Sequence, residues 1–404
     1  MFLRKNKQSS FGKVGEKRKL KKIAIVSEFC VPYLYGGGEF RYYFLIKELQ
    51  KLGYDVHWLC MKLKNEHGAV KNKEIIDGIK VIHLGPTIKN IPFRSLFNFI
   101  HYSWSLFWHL IFNKYDLIDA QAFIPLIPSW LASRLTNTKM VATIHDVSKG
   151  KDNQWLQFGN VASFFEKLIY KMPYPNIITV SDSIRDALIK RFKVNKKRLN
   201  IVYNAVDLEL IDSIEPKFNP LHSYTKKNNS VSFVGRLATN KRVKDLILAV
   251  DKLRYEIKDI NLTIMGRGPE EKFLRELVKK QKLEKHVKFL IGVSDEEKFS
   301  QLKKSQVFVL PSVREGFGIV LIEAMACQNA VIGAKVEGII NVINDDVDGL
   351  FFEAKNVEDL AEKIKSLLLD DNLRNKLSLE GRKKVENNFC WDKKAKEIVE
   401  IYNI

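Results

Sequence analysis

Cysteine is scarce in this chain of 404 residues: four, at Cys30, Cys60, Cys327 and Cys390, with no CxxC pair and no Cys/His spacing of a zinc motif. That isolation disfavours a disulfide framework or a zinc site and fits a reducing cytoplasm. Acidic residues are also short, 47 against 67 basic, a formal charge of +20. With 46% hydrophobic and 28% charged residues, neither disorder nor a collagen-like chain is plausible. An uninterrupted apolar run of membrane-spanning length, about 20 residues, is missing too. The nearest approach is Ser95 to Asn113, uncharged and dense in Phe, Trp and Tyr, but broken by Asn98, His101, Ser103, Ser105, His109 and Asn113. It reads first as a partly buried domain helix, second as an aromatic face lying on lipid, and only then as a span.

A basic surplus implies an anionic partner: nucleic acid, a membrane surface or a phosphorylated ligand. Residues 1–22 carry nine basic side chains against Glu16 alone, two fifths of the whole surplus. This stretch has no apolar core of signal-peptide length and reads as a solvated basic arm. Interleaved basic and aromatic patches are absent, which disfavours nucleic acid. With residues 93–112 beside it, the arm predicts a cytoplasmic protein in peripheral contact with the anionic inner face of the cell membrane.

The length predicts two domains, because single cores stop growing near about 250–300 residues. Short apolar runs alternate with amphipathic stretches from Ile23-Ala24-Ile25-Val26 onward, the pattern of βα units and a parallel sheet covered on both faces. Periodicity lapses between Asp207 and Ser230, around Pro216 and Pro220, and then restarts. The expected fold is α/β, two Rossmann-like doubly wound domains facing a cleft. Residues 23–208 form the first and 209–387 the second, with a C-terminal helix (388–404) packing back on the first. In such folds ligands bind outside the carboxyl ends of the strands.

The densest chemistry is Pro311-Ser312-Val313-Arg314-Glu315-Gly316-Phe317-Gly318-Ile319, running into a helix that holds Glu323. By themselves Glu315 and Glu323 read equally as a surface turn and a solvated helix charge. Four further clusters precede them: Gly36-Gly37-Gly38-Glu39, Thr143-Ile144-His145-Asp146, Val234-Gly235-Arg236-Leu237 with Asn240-Lys241, and Met265-Gly266-Arg267-Gly268-Pro269. The first lacks GxGxxG spacing, which disfavours nicotinamide chemistry. Asn344-Asp345-Asp346-Val347-Asp348-Gly349 begins like a calcium loop, but Lys355 stands where a bidentate Glu is required, so it reads as a turn.

In order and spacing these segments resemble the family 4 glycosyltransferases of the GT-B fold, whose signature pairs two glutamates, with seven residues between them, around a Gly-Phe-Gly turn. The resemblance runs from Ile23 to the end. It implies a retaining, metal-independent transfer of a hexose from a nucleoside-diphosphate sugar to a glycan or lipid-linked acceptor in cell-surface polysaccharide or glycolipid synthesis, with no cofactor. It assigns Arg236 and Lys241 to the donor diphosphate, Glu315 to the hexose hydroxyls, Glu323 to the ribose and His145 to the transferred sugar. Gly37, Gly38, Gly235, Gly316, Phe317, Gly318 and Ile319 would line the donor site, and Gly266 and Gly268 would make room near the base. Asp146 either orients the imidazole or caps a turn. Arg242 departs from the glycine that usually follows the lysine. Cys327-Gln328-Asn329 and the loop at Glu337-Gly338 also depart, which leaves the donor's identity open. A sugar-nucleotide epimerase of the same fold and a non-catalytic, membrane-associated nucleotide-sugar-binding protein are the alternatives.

Overall fold

A computed structural model of the protein describes residues 21–33, 37–65, 68–88, 95–121, 123–147, 166–215 and 229–403. The basic arm up to residue 20, Gly36, residues 93–94 and most of the interdomain linker (216–228) lie outside the described residues.

The first half contains β1 (Lys22–Val26), α1 (Gly37–Lys51), β2 (Asp55–Asn65), β3 (Gly68–Ala69), β4 (Lys73–Ile76), β5 (Ile79–Ile88), α2 (Leu96–Phe112), β6 (Leu117–Gln121), α3 (Leu126–Thr136), β7 (Lys139–Ile144), β8 (Asn176–Thr179), α4 (Asp182–Phe192) and β9 (Leu199–Ile201). These strands form one sheet in the order β4-β5-β2-β1-β6-β7-β8-β9, with β3 paired to β2. All neighbours are parallel except β3 and β4. The β4–β5 hairpin turns on Asp77-Gly78, both in the left-handed region (φ 48° and 81°), as a two-residue mirror-image turn requires.

Period-two alternation sends successive residues of β1 to opposite faces. Ile23 and Ile25 pack with Leu45, Ile46 and Leu49 of α1, whereas Ala24 and Val26 pack with Leu106 and Leu110 of α2. The aromatic segment is therefore a domain helix. It buries Tyr102, Leu106 and Leu110 at helical spacing and exposes Phe97, Ile100, Trp104 and Phe112 on its other side. Among the described residues no helix is long and apolar enough to cross a membrane.

The second half contains α5 (Leu208–Ser213), β10 (Ser230–Val234), α6 (Val243–Leu253), β11 (Asn261–Met265), α7 (Glu271–Lys280), β12 (Val287–Leu290), α8 (Asp295–Lys304), β13 (Val307–Leu310), α9 (Ile319–Ala326), β14 (Ala330–Ala334), β15 (Leu350–Phe352), α10 (Val357–Leu369) and α11 (Asp371–Asn388). Its sheet is parallel throughout, in the order β12-β11-β10-β13-β14-β15. Every residue of β13 and β14 is buried, as parallel strands covered on both faces must be. At the calcium-like loop the Asp348 carboxylate accepts the Asn344 N–H and pairs with Lys384, which makes a turn.

The last helix, α12 (Trp391–Tyr402), returns to the first sheet, where Trp391, Ala395, Ile398 and Tyr402 join the α1 side of the core. The Tyr402 hydroxyl donates to buried Asp119 at 2.6 Å. The two chain crossings between the halves are zipped together, since the Val206 N–H donates to the Phe389 carbonyl and the Trp391 N–H to the Val206 carbonyl.

Candidate active site

In both sheets the strand order reverses beside the first strand, between β1 and β6 and between β10 and β13. A crevice opens at such a switch point, at the carboxyl ends of the strands. The sequence-predicted residues fall there. His145 follows β7, Gly235 and Arg236 follow β10, and the Glu315 loop follows β13.

The two sides meet closely. A Cβ added to Gly37 would lie 3.1 Å from the Ile319 side chain of the opposite half, and one on Gly316 would lie 3.6 Å from the His145 carbonyl. Arg314 reaches across to Asp146 at 3.7 Å. Lys241 forms an ion pair with Glu315, so these two predicted groups converge beside the His145 backbone. The Arg236 side chain is exposed and makes no hydrogen bond or ion pair among the described residues, while its carbonyl accepts the Ala238 N–H. Glu323, in the second turn of α9, pairs with Lys298 of α8 at 2.9 Å. Burial opposes the charge on Lys298, but Glu323 and Asp295 outweigh it and hold the ammonium's pKa above its ordinary value. Beside this pair a hollow open to solvent lies between the halves, lined by Arg41, Phe44, Asp207, Lys298, Ile319 and Glu323.

His145 is held by neighbours the sequence did not single out. Its Nε2 lies 2.5 Å from the Tyr42 hydroxyl and 3.2 Å from Gln121 Oε1. Burial, with the Arg41 charge adding to it, lowers its pKa to about 3, so the imidazole is neutral at physiological pH. Of the two roles open to Asp146, the turn is the one seen: its carboxylate accepts the Val147 N–H at 2.8 Å. Arg41 lies buried behind the cleft, donating to Asn204 Oδ1 and the Tyr203 carbonyl, while its Nε and Nη2 have no hydrogen-bond partner among the described residues. Some signal for these residues existed. Asp119 and Gln121 interrupt an otherwise apolar parallel strand, and buried polar groups in such strands are there to bond something. Tyr42 and Lys298 had no such mark.

Gly266 and Gly268, expected near the base or simply at a strand-to-helix turn, are required by the fold itself. A Cβ on Gly266 would stand 1.9 Å from the Gly235 carbonyl oxygen, and one on Gly268 would stand 2.2 Å from that of Leu237. They make room for the chain's own crossing loops. A Cβ on Gly38 would meet only the Tyr42 hydroxyl, at 3.8 Å, and Gly318 caps α9 with φ 85°. Phe317, expected at the donor site, presents its ring to the protein interior. It is buried, stacked on Tyr203 at 5.7 Å and edge-on to Phe389 at 5.8 Å, because the turn tucks it under the interdomain crossing. Arg242 takes a left-handed conformation, φ 54°, where glycine would be unstrained, and both its Nε and Nη2 donate to Asp245. The loop thus keeps a glycine-like turn without a glycine.

Two family models cover most of the chain: Glycosyltransferase Family 4 over residues 35–210 and Glycosyl transferases group 1 over residues 215–384. The chain belongs to the family 4 glycosyltransferases. It is 27% identical over 363 residues to an uncharacterized glycosyltransferase of Methanocaldococcus jannaschii, covering 83% of this chain and 91% of that one. It is 32% identical over 219 residues to the N-acetylgalactosamine-N,N'-diacetylbacillosaminyl-diphospho-undecaprenol 4-alpha-N-acetylgalactosaminyltransferase of Campylobacter jejuni, covering 53% of this chain and 57% of that one. Among solved structures, sucrose-phosphate synthase from Thermosynechococcus elongatus superposes with a TM-score of 0.81 at 21% identity, covering 95% of this chain and 98% of that one. The fold of this glycosyltransferase is GT-B.

Proposed function

We propose that this glycosyltransferase moves a hexose from a nucleoside-diphosphate sugar to a glycan or lipid-linked saccharide, with retention of anomeric configuration and without a metal ion. The observation that carries the reading is the Lys241–Glu315 pair set against His145 across the cleft. In the reaction the bond from the anomeric carbon to the phosphate oxygen breaks and a bond to the acceptor oxygen forms. The acceptor's proton passes to the departing diphosphate. Negative charge therefore grows on the leaving group, and fixed cations are the means of stabilising it. Lys241 and the unpartnered Arg236 supply them. Glu315, released from Lys241, takes the hexose hydroxyls. Glu323 takes the ribose at the pocket beside Lys298, and neutral His145 hydrogen-bonds the transferred sugar.

The Campylobacter relative is named for transfer to a diphospho-undecaprenol-linked saccharide, which supports a lipid-linked acceptor here. The exposed side of α2, with Phe97, Ile100, Trp104 and Phe112, supports peripheral contact with the inner membrane face where such an acceptor is reached, aided by the basic arm.

The test is a panel of UDP, GDP and ADP sugars offered with lipid-linked acceptors, with the product's anomeric configuration read by NMR. One donor should yield product of unchanged configuration; an inverted product, or donor interconversion without an acceptor, would overturn the reading.

A further inference from the structure

Three residues far apart in sequence converge in the first sheet. Cys30 follows β1, Cys60 lies in β2 and His83 in β5, and all three are buried. Cys60 Sγ is 3.3 Å from Cys30 Sγ and 3.4 Å from His83 Nδ1. Both thiols and the imidazole offer ligand atoms within 4.8 Å of one another. The Met61 carbonyl oxygen lies 3.3 Å from the same nitrogen.

The other side of the imidazole is equally organised. His83 Nε2 is 2.5 Å from Glu74 Oε1, and the Tyr33 hydroxyl donates to that carboxylate at 2.8 and 2.9 Å. A carboxylate on Nε2 favours the proton there and turns the Nδ1 lone pair toward the sulfurs, the outer arrangement found around metal-bound histidines. With metal–sulfur and metal–nitrogen bonds of about 2.3 and 2.0 Å, a tetrahedral ion has a sulfur–nitrogen edge of about 3.5 Å and a sulfur–sulfur edge of about 3.8 Å. The Cys60–His83 edge matches as it stands, the Cys30–Cys60 edge needs the thiols to part by about 0.5 Å, and the Cys30–His83 edge lies within 4.8 Å.

We propose that Cys30, Cys60 and His83 form a structural site for a thiophilic divalent cation, Zn²⁺ by its ligand set. Binding forms two metal–thiolate bonds and one metal–imidazole bond, takes the Met61 carbonyl oxygen beside Nδ1 as the fourth ligand, and releases two thiol protons. Two thiolates cancel the dipositive charge, so the enclosed complex is neutral and avoids the cost of a buried net charge. Cys30 lies seven residues before Gly37, so the ion would pin the stem of the glycine loop to β2 and β5. The separations of 30 and 23 residues between ligands are why spacing alone gave no sign of it.

The experiment uses the untagged full chain, produced in zinc-supplemented and in cobalt-supplemented medium and purified without chelator. Elemental analysis should find about one zinc per chain, and the cobalt form should show a thiolate-to-cobalt charge-transfer band with tetrahedral d–d bands. Cys60→Ser should lose both, while Cys327→Ser, a buried thiol of the other half, should keep both. Should Cys60→Ser fail to fold, Glu74→Gln leaves all three ligands in place and should weaken zinc by about 10–100-fold in competition with a chromogenic chelator. Zinc content no higher in the native chain than in Cys60→Ser, unchanged zinc affinity in Glu74→Gln, or a Cys30–Cys60 disulfide in a non-reduced peptide map would each overturn the proposal.

Discussion

His145 owes its character to its surroundings. Loss of hydration penalises the imidazolium, and the nearby Arg41 guanidinium adds to the penalty, so the ring stays neutral well below the usual histidine range. Its resonances should therefore show no titration between pH 8 and 5 in a histidine-labelled NMR experiment; a midpoint near 6.5 would contradict the environment described. Replacing Tyr42 by Phe removes the 2.5 Å partner of Nε2 and should shift those resonances while leaving Glu315 paired with Lys241. This level of detail was not legible in the sequence. His145 itself was found through its place at a strand end, but Tyr42 sits six residues into a helix and Gln121 on a neighbouring strand, and only the folded sheet brings them to one nitrogen.

At the scale of elements, glycine tolerance separates two kinds of constraint. Gly78 has φ 81° with nothing within 4 Å of an added Cβ, so Gly78→Ala should cost only the backbone term of about 1 kcal/mol. Gly266→Ala forces a methyl group into the Gly235 carbonyl and moves two loops that meet at the cleft, at about 1–3 kcal/mol beyond that term. Urea midpoints at constant m-value check the ordering, and equal midpoints would contradict the loop crossing. The elements themselves were largely readable. Buried parallel strands announce themselves as short apolar runs, and α2 (Leu96–Phe112) and α10 (Val357–Leu369) carry clean helical spacing. What was missed is instructive. The β4–β5 hairpin carries its Asp77-Gly78 turn signal in plain view, but β4 is short and at the sheet edge, with an exposed-to-intermediate alternation in place of an apolar run. For Phe317 a motif shows which residues recur together, and only packing shows that the ring stacks against Tyr203 and Phe389.

Across the whole molecule, acid sensitivity has a definite sign. Burial lowers His57 and His109 to about 4, as it lowers His145. Below pH 6.5 the unfolded chain takes up protons that the folded chain refuses, so stability present above pH 6.5 is lost progressively as the pH falls toward 4. Asp119 works the other way. Burial raises it to about 6 against hydrogen bonds from Tyr402 and Thr143, so its contribution grows as the pH drops from 6 to 3.8. Three groups outweigh one. The urea midpoint should fall between pH 7 and pH 4.5, and fall more steeply in Asp119→Asn; a midpoint that rises would contradict the burial of these histidines. Membrane contact is likewise a property of the whole chain. Anionic vesicles should sediment it at low salt, less at high salt, and less still with Trp104→Glu on the exposed side of α2.

The most direct measurement concerns the cations at the leaving group. Initial rates of nucleoside-diphosphate release should be compared for the native chain, Arg236→Ala and Lys241→Ala at saturating donor and acceptor. Removing a contact that strengthens as charge develops lowers turnover by about 10²–10³, and that loss is expected in each variant. Turnover unchanged in both would contradict the assignment of Arg236 and Lys241 to the departing diphosphate.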